Sequence, residues 1–525
     1  MKKSKSGVNT YSGKELTGYL VGLAGQNMIY NIISSGLMYY FQSIIFLPVM
    51  ICSVIVAIAR VWDAINDPMM GTIVDKTNTK YGKCKPYLLV VPGVVMVITI
   101  LCFVNGRVEY AADGSFIMSA KNILIIAWAG ISYILWGMSY TAGDIPLWGV
   151  TSLMTEDAKD RAKVLALARI VATAGVVGMA VQLAGTAFQG FFADRGVETV
   201  AAQQQYSVIL IAVVLTVFAS VLFQFAGLSV KEKVHQQTEK HNSMKENFKT
   251  MWNCKPFRQL LVSGVLRSPI QLLSTVAITL VLYFFFDNDI AGALGGEDGL
   301  NISLIAKVLV VGIGVFGGML AASAITPSLA GKHEKKNLYN FYSVIGALPF
   351  GFVFVVYKIA GEKIITDWSW AIITGIVFFA ASWSQGGLNV LQSIMIADCV
   401  DYEEYHNQIR PDGVFFSGQS FITKLSAGIA TIISGIVFAI VGWSGKEIEI
   451  ANEAFAKGTA HFATYADGKY AAAMFFLVAI PPMIGMILSA IPTWKYALPN
   501  SEHKRILEEL IERRHDVGEA QDSAE

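Results

Sequence analysis

Apolar stretches of about 20 residues, the length a helix needs to cross a bilayer, recur along the chain at 19–41, 49–74, 87–105, 122–147, 164–190, 206–228, 259–286, 302–330, 338–360, 370–397, 418–443 and 470–495. Twelve transmembrane helices are predicted. A hydrophilic stretch at 231–258 divides them six and six. The pattern predicts an all-α polytopic membrane protein with two six-helix bundles, over 1–230 and 259–500. A cytoplasmic middle loop over 231–258 joins them, and a polar cytoplasmic tail over 501–525 is expected to form no further domain.

Orientation follows from the basic residues, which concentrate on cytoplasmic loops. With the N-terminus inside, 27 of the 40 Lys and Arg fall on inner segments and 8 on outer ones. Both termini are expected in the cytoplasm. Composition agrees with a membrane protein: 54% of residues are hydrophobic and 15% charged, where soluble domains carry about 25% charged residues. The net charge of +1 supplies no field for nucleic acid. Five scattered cysteines without a C-x-x-C pair imply neither a disulfide framework nor a zinc site. The first apolar stretch begins too late and runs too long for a cleaved signal peptide, so it is expected to be retained.

Charges inside the apolar stretches carry the functional signal. The second helix reads Arg60-Val-Trp-Asp63-Ala-Ile-Asn66-Asp67-Pro68-Met-Met-Gly71, and positions 60, 63, 67 and 71 share one face. Three charges facing lipid would cost about 7–10 kcal/mol at about 2.5–3.5 each, so this face must line a polar interior. An Arg60–Asp63 ion pair that only orders the bundle would leave Asn66 and Asp67 unexplained. Two carboxylates and an amide suit a hard monovalent cation, or a proton on a carboxylate of raised pKa.

The fourth helix carries Tyr140, Thr141, Asp144 and Trp148, with 140, 144 and 148 spaced by four. A carboxylate that accepts from hydroxyls, beside an indole that covers an apolar ring face, suits a pyranose. The competing reading is an Asp that caps a partner helix between two aromatic anchors. Arg169 and Lys424 add two intramembrane cations, functional by default. Arg267 and Lys307 lie nearer helix ends and are expected to snorkel. In the middle loop, Met244, Phe248 and Trp252 recur every four residues beside Lys245 and Lys249, which predicts a short helix on the inner membrane face.

Other signals carry less. Gly312-Ile-Gly314-Val-Phe-Gly317 fits G-x-G-x-x-G but follows no strand and lies inside an apolar run, which predicts helix packing. All seven histidines fall in predicted loops or tails, and no Walker sequence occurs.

The block Arg60 to Gly71, followed by Tyr81-Gly82-Lys83-Cys84-Lys85-Pro86, resembles the signature of the glycoside, pentoside and hexuronide cation symporters, the melibiose-carrier-like branch of the major facilitator superfamily. The stretches Tyr133 to Trp148 and Ile396-Ala-Asp398-Cys-Val-Asp401-Tyr402-Glu403 are similar to the same family's fourth helix and the end of its tenth. The resemblance implies a major facilitator fold. It also implies a cation site for Na⁺ or H⁺ at Asp63, Asn66 and Asp67, with Thr141 as a further oxygen ligand. Tyr140, Asp144, Trp148 and Arg169 match the family's sugar site. Lys424 matches a helix 11 lysine near the cation site, and Arg60 and Lys424 are expected to serve coupling. Where melibiose carriers have a Lys-Asp pair, this chain has Gln26-Asn27, and Asn389 replaces a tryptophan. Asn27 is therefore expected to line the sugar cavity, its amide both donating and accepting. Loss of that negative charge admits an anionic glycoside held by Arg169, although a neutral glycoside is the preferred expectation.

The expected protein is not an enzyme and needs no cofactor beyond the coupling ion. It is a secondary active transporter of the cell membrane, importing a sugar or glycoside in symport with Na⁺ or H⁺. Two other readings stand beside it: a family member moving a lysolipid-like amphipathic solute, and a non-transporting sugar sensor.

Overall fold

The computed structural model describes the chain except residues 1, 4–8, 78, 112, 114, 156–159, 161–163, 165–166, 169–170, 172–174, 176, 179–180, 182–186, 234–243, 290–300, 408–411, 507 and 511–525. Helix α1 (Gly13–Asn31) begins six residues before the apolar stretch because Ser12 and Glu15 form a capping box. The Glu15 N–H donates to Ser12 Oγ at 3.3 Å, and the Ser12 N–H to Glu15 Oε2 at 2.6 Å. The helix continues through π-helical turns at Ile32–Leu37 and Tyr40–Ile44.

Next come α2 (Val49–Lys76), α3 (Lys85–Phe103), α4 (Ala120–Leu153) and α5 (Val200–Ser229). Most of the fifth predicted span, 164–190, lies outside the described residues. The middle loop contributes α6 (Met244–Asn253), the short helix expected there. The chain continues with α7 (Lys255–Leu266), α8 (Leu272–Phe286), α9 (Ile302–Ala330), α10 (Lys335–Val344) and α11 (Leu348–Ala360). It ends with α12 (Trp368–Asn407), α13 (Asp412–Val441), α14 (Gly445–Ala456) and α15 (Lys469–Thr493). Among the described residues, nine helices are long and apolar enough to cross a membrane. Taken together as one span, Lys255–Leu266 and Ser268–Ala277, which meet at 50°, would make a tenth.

The chain forms two compact units that do not follow chain order. The first comprises Met1–His241, Val281–Leu300 and Gly435–Tyr470, and the second Asn242–Leu280, Asn301–Ser434 and Ala471–Glu525.

In the first unit α1 lies against α5 at backbone distance. A Cβ on Gly22 would sit 2.4 Å from Ala226 Cβ, and one on Gly25 2.3 Å from the Ala219 carbonyl oxygen. Only hydrogen fits there, and the close approach replaces the hydrophobic drive that lipid does not supply. The later segments join through a buried polar chain. Tyr39 Oη donates to Asn288 Oδ1 at 2.9 Å, Asn288 Nδ2 to Asn452 Oδ1 at 3.2 Å, and Asn452 Nδ2 to the Ser43 carbonyl at 3.3 Å.

Residues just past α5 strap the neighbouring helix ends. Glu232 accepts the N–H groups of Lys83, Cys84 and Lys85 at 2.8, 2.8 and 2.9 Å, where the α3 dipole favours a carboxylate. Gly82, at φ +110°, leaves room for it, since a Cβ there would come within 2.3 Å of Glu232 Cδ. Lys233 Nζ donates to Glu15 Oε2 and to the Thr10 carbonyl, both at 2.7 Å.

In the second unit α9 packs along α12. A Cβ on Gly314 would lie 2.3 Å from the Gly375 carbonyl oxygen, so within the 312–317 run Gly314 is a helix contact. Helix α12 extends ten residues past the expected end at 397, where its acidic end finds partners: Lys335 Nζ lies 2.5 Å from Asp398 Oδ2, and His503 Nε2 lies 3.1 Å from Asp401 Oδ2.

Candidate functional site

Two polar clusters of the first unit share α4. The first joins α2 to α4. Arg60 and Asp63, both buried, form an ion pair with Nη1 to Oδ2 at 3.3 Å, one helical turn apart. Thr141 Oγ1 donates to Asp67 Oδ1 at 3.0 Å across the interface. Asn66 is buried, and its Nδ2 has no hydrogen-bond partner among the described residues, nor has Arg60 Nε. An unpartnered buried amide is costly, so this cluster holds polar capacity beyond its own contacts. Gly137 permits the approach: a Cβ there would be 2.8 Å from Asp63 Oδ1. Asp63, Asp67 and Thr141 thus lie on one α2–α4 interface, with Asn66 buried on α2, and the four offer hard oxygen ligands of the kind that alkali cations take.

The second cluster joins α1 to α4. Asp144 Oδ1 accepts from Trp148 Nε1 at 3.1 Å and from Gln26 Nε2 at 2.6 Å. Gln26 Nε2 also donates to the Tyr140 hydroxyl. Gln26 is 2% exposed, so its amide is spent inside the cluster. Asn27 reaches the cluster through Gln26: its Nδ2 donates to Gln26 Oε1 and to the Leu23 carbonyl, each at 2.9 Å. Above them runs an aromatic ladder on α4, with Tyr133 stacked on Trp136 at 6.1 Å and Trp136 on Tyr140 at 4.9 Å. Tyr30 adds a fourth ring, 5.6 Å from Tyr140. A carboxylate, an indole N–H, an amide and a phenol beside aromatic faces can bind a ring bearing several hydroxyls.

Sequence reasoning missed Gln26 as a contact. The available signal was a polar amide directly after Gly25 inside an apolar run; its reach to α4 depends on how closely α1 packs. Arg169 lies outside the described residues. Lys424 lies half-buried on α13 in the second unit.

The expectation that Arg267 and Lys307 snorkel is corrected. Both are 6% exposed. Lys307 Nζ donates to the carbonyls of Ile365 and Thr366 at 2.8 and 3.0 Å, a helix-end cap that satisfies the ammonium within the protein. Arg267 Nη2 donates to Gln392 Oε1, and to Asn389 Oδ1 at 3.4 Å. The break after Leu266 turns the Arg267 position toward α12 rather than along a straight helix to the membrane surface.

The comparisons with known proteins agree with this architecture. A family model described as MFS/sugar transport protein matches residues 18–500. The chain is 23% identical over 495 residues to an isoprimeverose transporter of Lactiplantibacillus pentosus, covering 93% of this chain and 89% of that one. It is 21% identical over 505 residues to a glucuronide carrier protein homolog of Escherichia coli, covering 96% of each. Among solved structures, a bacterial homolog of the human lysosomal transporter Spinster, inward-facing and unoccupied, aligns with TM-score 0.56 at 10% identity, covering 92% of this chain and 97% of that one. The family match spans nearly the whole chain and the fold is a transporter's: the protein belongs to the MFS/sugar transport protein family, as a multi-pass membrane transporter of twelve-helix major facilitator fold.

Proposed function

We propose that the protein imports a sugar or glycoside in symport with Na⁺ or H⁺. The observation that carries this is the juxtaposition on α4: Thr141 faces the carboxylates of α2 while the preceding residue, Tyr140, meets Gln26 beside Asp144 and Trp148. The formal charges of Arg60, Asp63 and Asp67 sum to one negative charge, which one monovalent cation would neutralise. The cation is co-substrate, held by Asp63, Asn66, Asp67 and Thr141. The sugar is held by Tyr140, Asp144 and Trp148 with Arg169, and by Gln26 with Asn27 behind it.

Loading the cation first removes negative charge from the interior, so sugar binds to a site already compensated; the linkage is a reciprocal binding free energy. Arg60 orients Asp63, and Lys424 serves coupling. Two six-helix bundles divided by the 231–258 segment would rock about the loaded site, with both termini in the cytoplasm of a cell-membrane carrier. Relatives named an isoprimeverose transporter, a putative glycoside/cation symporter and a lactose permease support a sugar cargo. The hydrogen-bonding density around Asp144 disfavours an amphipathic lipid.

The test is uptake of radiolabelled glycosides into membrane vesicles with and without Na⁺ and with an imposed proton gradient. Cation-driven accumulation above the external concentration is expected. Gradient-independent equilibration across the whole panel would refute symport.

A further inference from the structure

Arg267 is a buried cation of the second unit whose charge no carboxylate meets. No Asp or Glu among the described residues comes within 4.0 Å of its guanidinium. Nη2 donates to the side-chain oxygens of Gln392 and, at 3.4 Å, of Asn389, while Nη1 is buried with no hydrogen-bond partner among the described residues. Two amide dipoles solvate part of a guanidinium but bring it no net charge. Other buried cations are settled: Arg60 pairs with Asp63, Lys233 with Glu15, and Lys307 donates to two carbonyls. An uncompensated charge and an unmade hydrogen bond are each costly in a buried group, and one anion answers both.

A second observation points the same way. Arg267 stands where two helical pieces of the 255–277 stretch meet at 50° through a short 3-10 turn at Ser268–Gln271. Irregular backbone at membrane depth is tolerated where it lines a cavity or an ion site. The surrounding walls set the size of what fits. One turn earlier, a Cβ on Gly264 would lie 2.7 Å from Ile422 Cγ2 and 3.2 Å from Gln392 Nε2, so α7 already runs close against α12 and α13. Tyr339, whose ring centre is 6.0 Å from Arg267 Cζ, is held by a 2.9 Å hydrogen bond between its hydroxyl and Ser263 Oγ. A compact monatomic anion suits such walls, whereas a tetrahedral oxyanion would have to part them.

We propose that Arg267 holds a resident halide, a chloride ion, as the buried counter-ion of the second unit. The ion sits against the guanidinium and takes the N–H groups of Nη1 in charge-assisted contacts. The amides of Gln392 and Asn389 can turn to present N–H groups to it in place of oxygens. Asn389 is the side that opens: it is exposed, and its 3.4 Å contact is the longer of the two that Nη2 makes. Arg267, Tyr339, Asn389 and Gln392 all belong to the second unit, so the halide is separate from the cation and sugar clusters on α4 and does not depend on the symport reading.

The experiment measures binding of radiolabelled chloride to the purified full-length carrier in detergent. Beside it, the melting temperature is recorded in sodium chloride and in sodium methanesulfonate at equal Na⁺ concentration and ionic strength. Wild type is expected to bind about one chloride per chain, to release it to excess bromide but not to methanesulfonate, and to melt higher in chloride. R267M should weaken chloride binding by at least about 10-fold, the scale of a hydrogen bond to a charged group, and should make the two melting temperatures coincide. R267K should fall between, since an ammonium keeps the charge and loses the planar fork. Absence of saturable chloride binding in wild type would overturn the site, as would an affinity unchanged in R267M. Displacement by methanesulfonate as effective as by bromide would overturn the monatomic halide. If R267M fails to reach the membrane, the wild-type competition and R267K decide, and R267K binding as tightly as wild type would overturn the guanidinium seat.

Discussion

Gly137→Ala tests the α2–α4 interface with one methyl group. The new carbon would lie 2.8 Å from Asp63 Oδ1, and ordinary contact begins at 3.4 Å, so the carboxylate must retreat by about 0.6 Å. The obstacle is the far end of a side chain, so the fold accommodates it. In the helix interior, alanine in place of glycine stabilises by about 0.5–1 kcal/mol. Thermal stability should therefore hold or rise slightly. Cation binding should not hold, because a ligand displaced by more than about 0.5 Å leaves productive geometry. Loss of one charged contact costs about 1.5–3 kcal/mol, or about 10- to 100-fold in cation affinity. The assay is the Na⁺ or H⁺ concentration that half-saturates sugar uptake, measured beside the melting temperature of the purified variant. Unchanged cation dependence would show that Asp63 is not a cation ligand, and a collapse in stability would show that the interface tolerates no methyl group.

Asp63→Cys should abolish uphill accumulation while sugar counterflow persists, and should lower stability by about 3–5 kcal/mol because Arg60 loses its buried partner; concentrative uptake at the wild-type level would reduce Asp63 to a structural ion-pair residue. Gln26→Ala should shift sugar affinity by about 1–3 kcal/mol, and Asn27→Ala by less, since the Asn27 amide reaches the cluster only through Gln26; the reverse order in a binding titration would place Asn27 on the sugar directly. Single cysteines in the loops at 76–85, 159–163 and 332–336 should resist an impermeant thiol reagent in intact cells, and labelling of two of the three would invert the proposed topology.

The polar stripes were legible because helical periodicity alone puts Arg60, Asp63 and Asp67 on one side of α2, and Tyr140, Asp144 and Trp148 on one side of α4. The cross-helix contacts were not. Thr141 meets Asp67 across an interface where Gly137 leaves room for the Asp63 carboxylate, and Gln26 meets Asp144 where Gly22 and Gly25 let α1 lie close to α5. Local pattern also misjudged Arg267, whose surroundings depend on a helix break after Leu266 and on α12, more than 100 residues later in the chain. The membership of 281–300 and 435–470 in the first unit likewise arises from long-range hydrogen bonds, such as Tyr39 to Asn288, that no window of sequence contains.

Under the proposed symport, coupling would run through one hydroxyl. Thr141 donates its proton to Asp67, but a cation at that carboxylate needs an oxygen lone pair, so the hydroxyl must rotate its proton away and present the oxygen instead. The residue before it, Tyr140, accepts from Gln26, which also holds Asp144. Any adjustment of this turn of α4 therefore reaches both clusters. Coupling between two ligands in proteins is typically about 1–3 kcal/mol, a factor of about 5–150 in affinity. Thr141→Val keeps the shape of the side chain and removes the oxygen. Each ligand should still bind, the cation more weakly, while the ratio of sugar affinities with and without saturating cation falls toward one. A ratio preserved in the valine variant would mean that coupling bypasses this turn and runs by charge compensation from Asp63 and Asp67 alone, without help from α4.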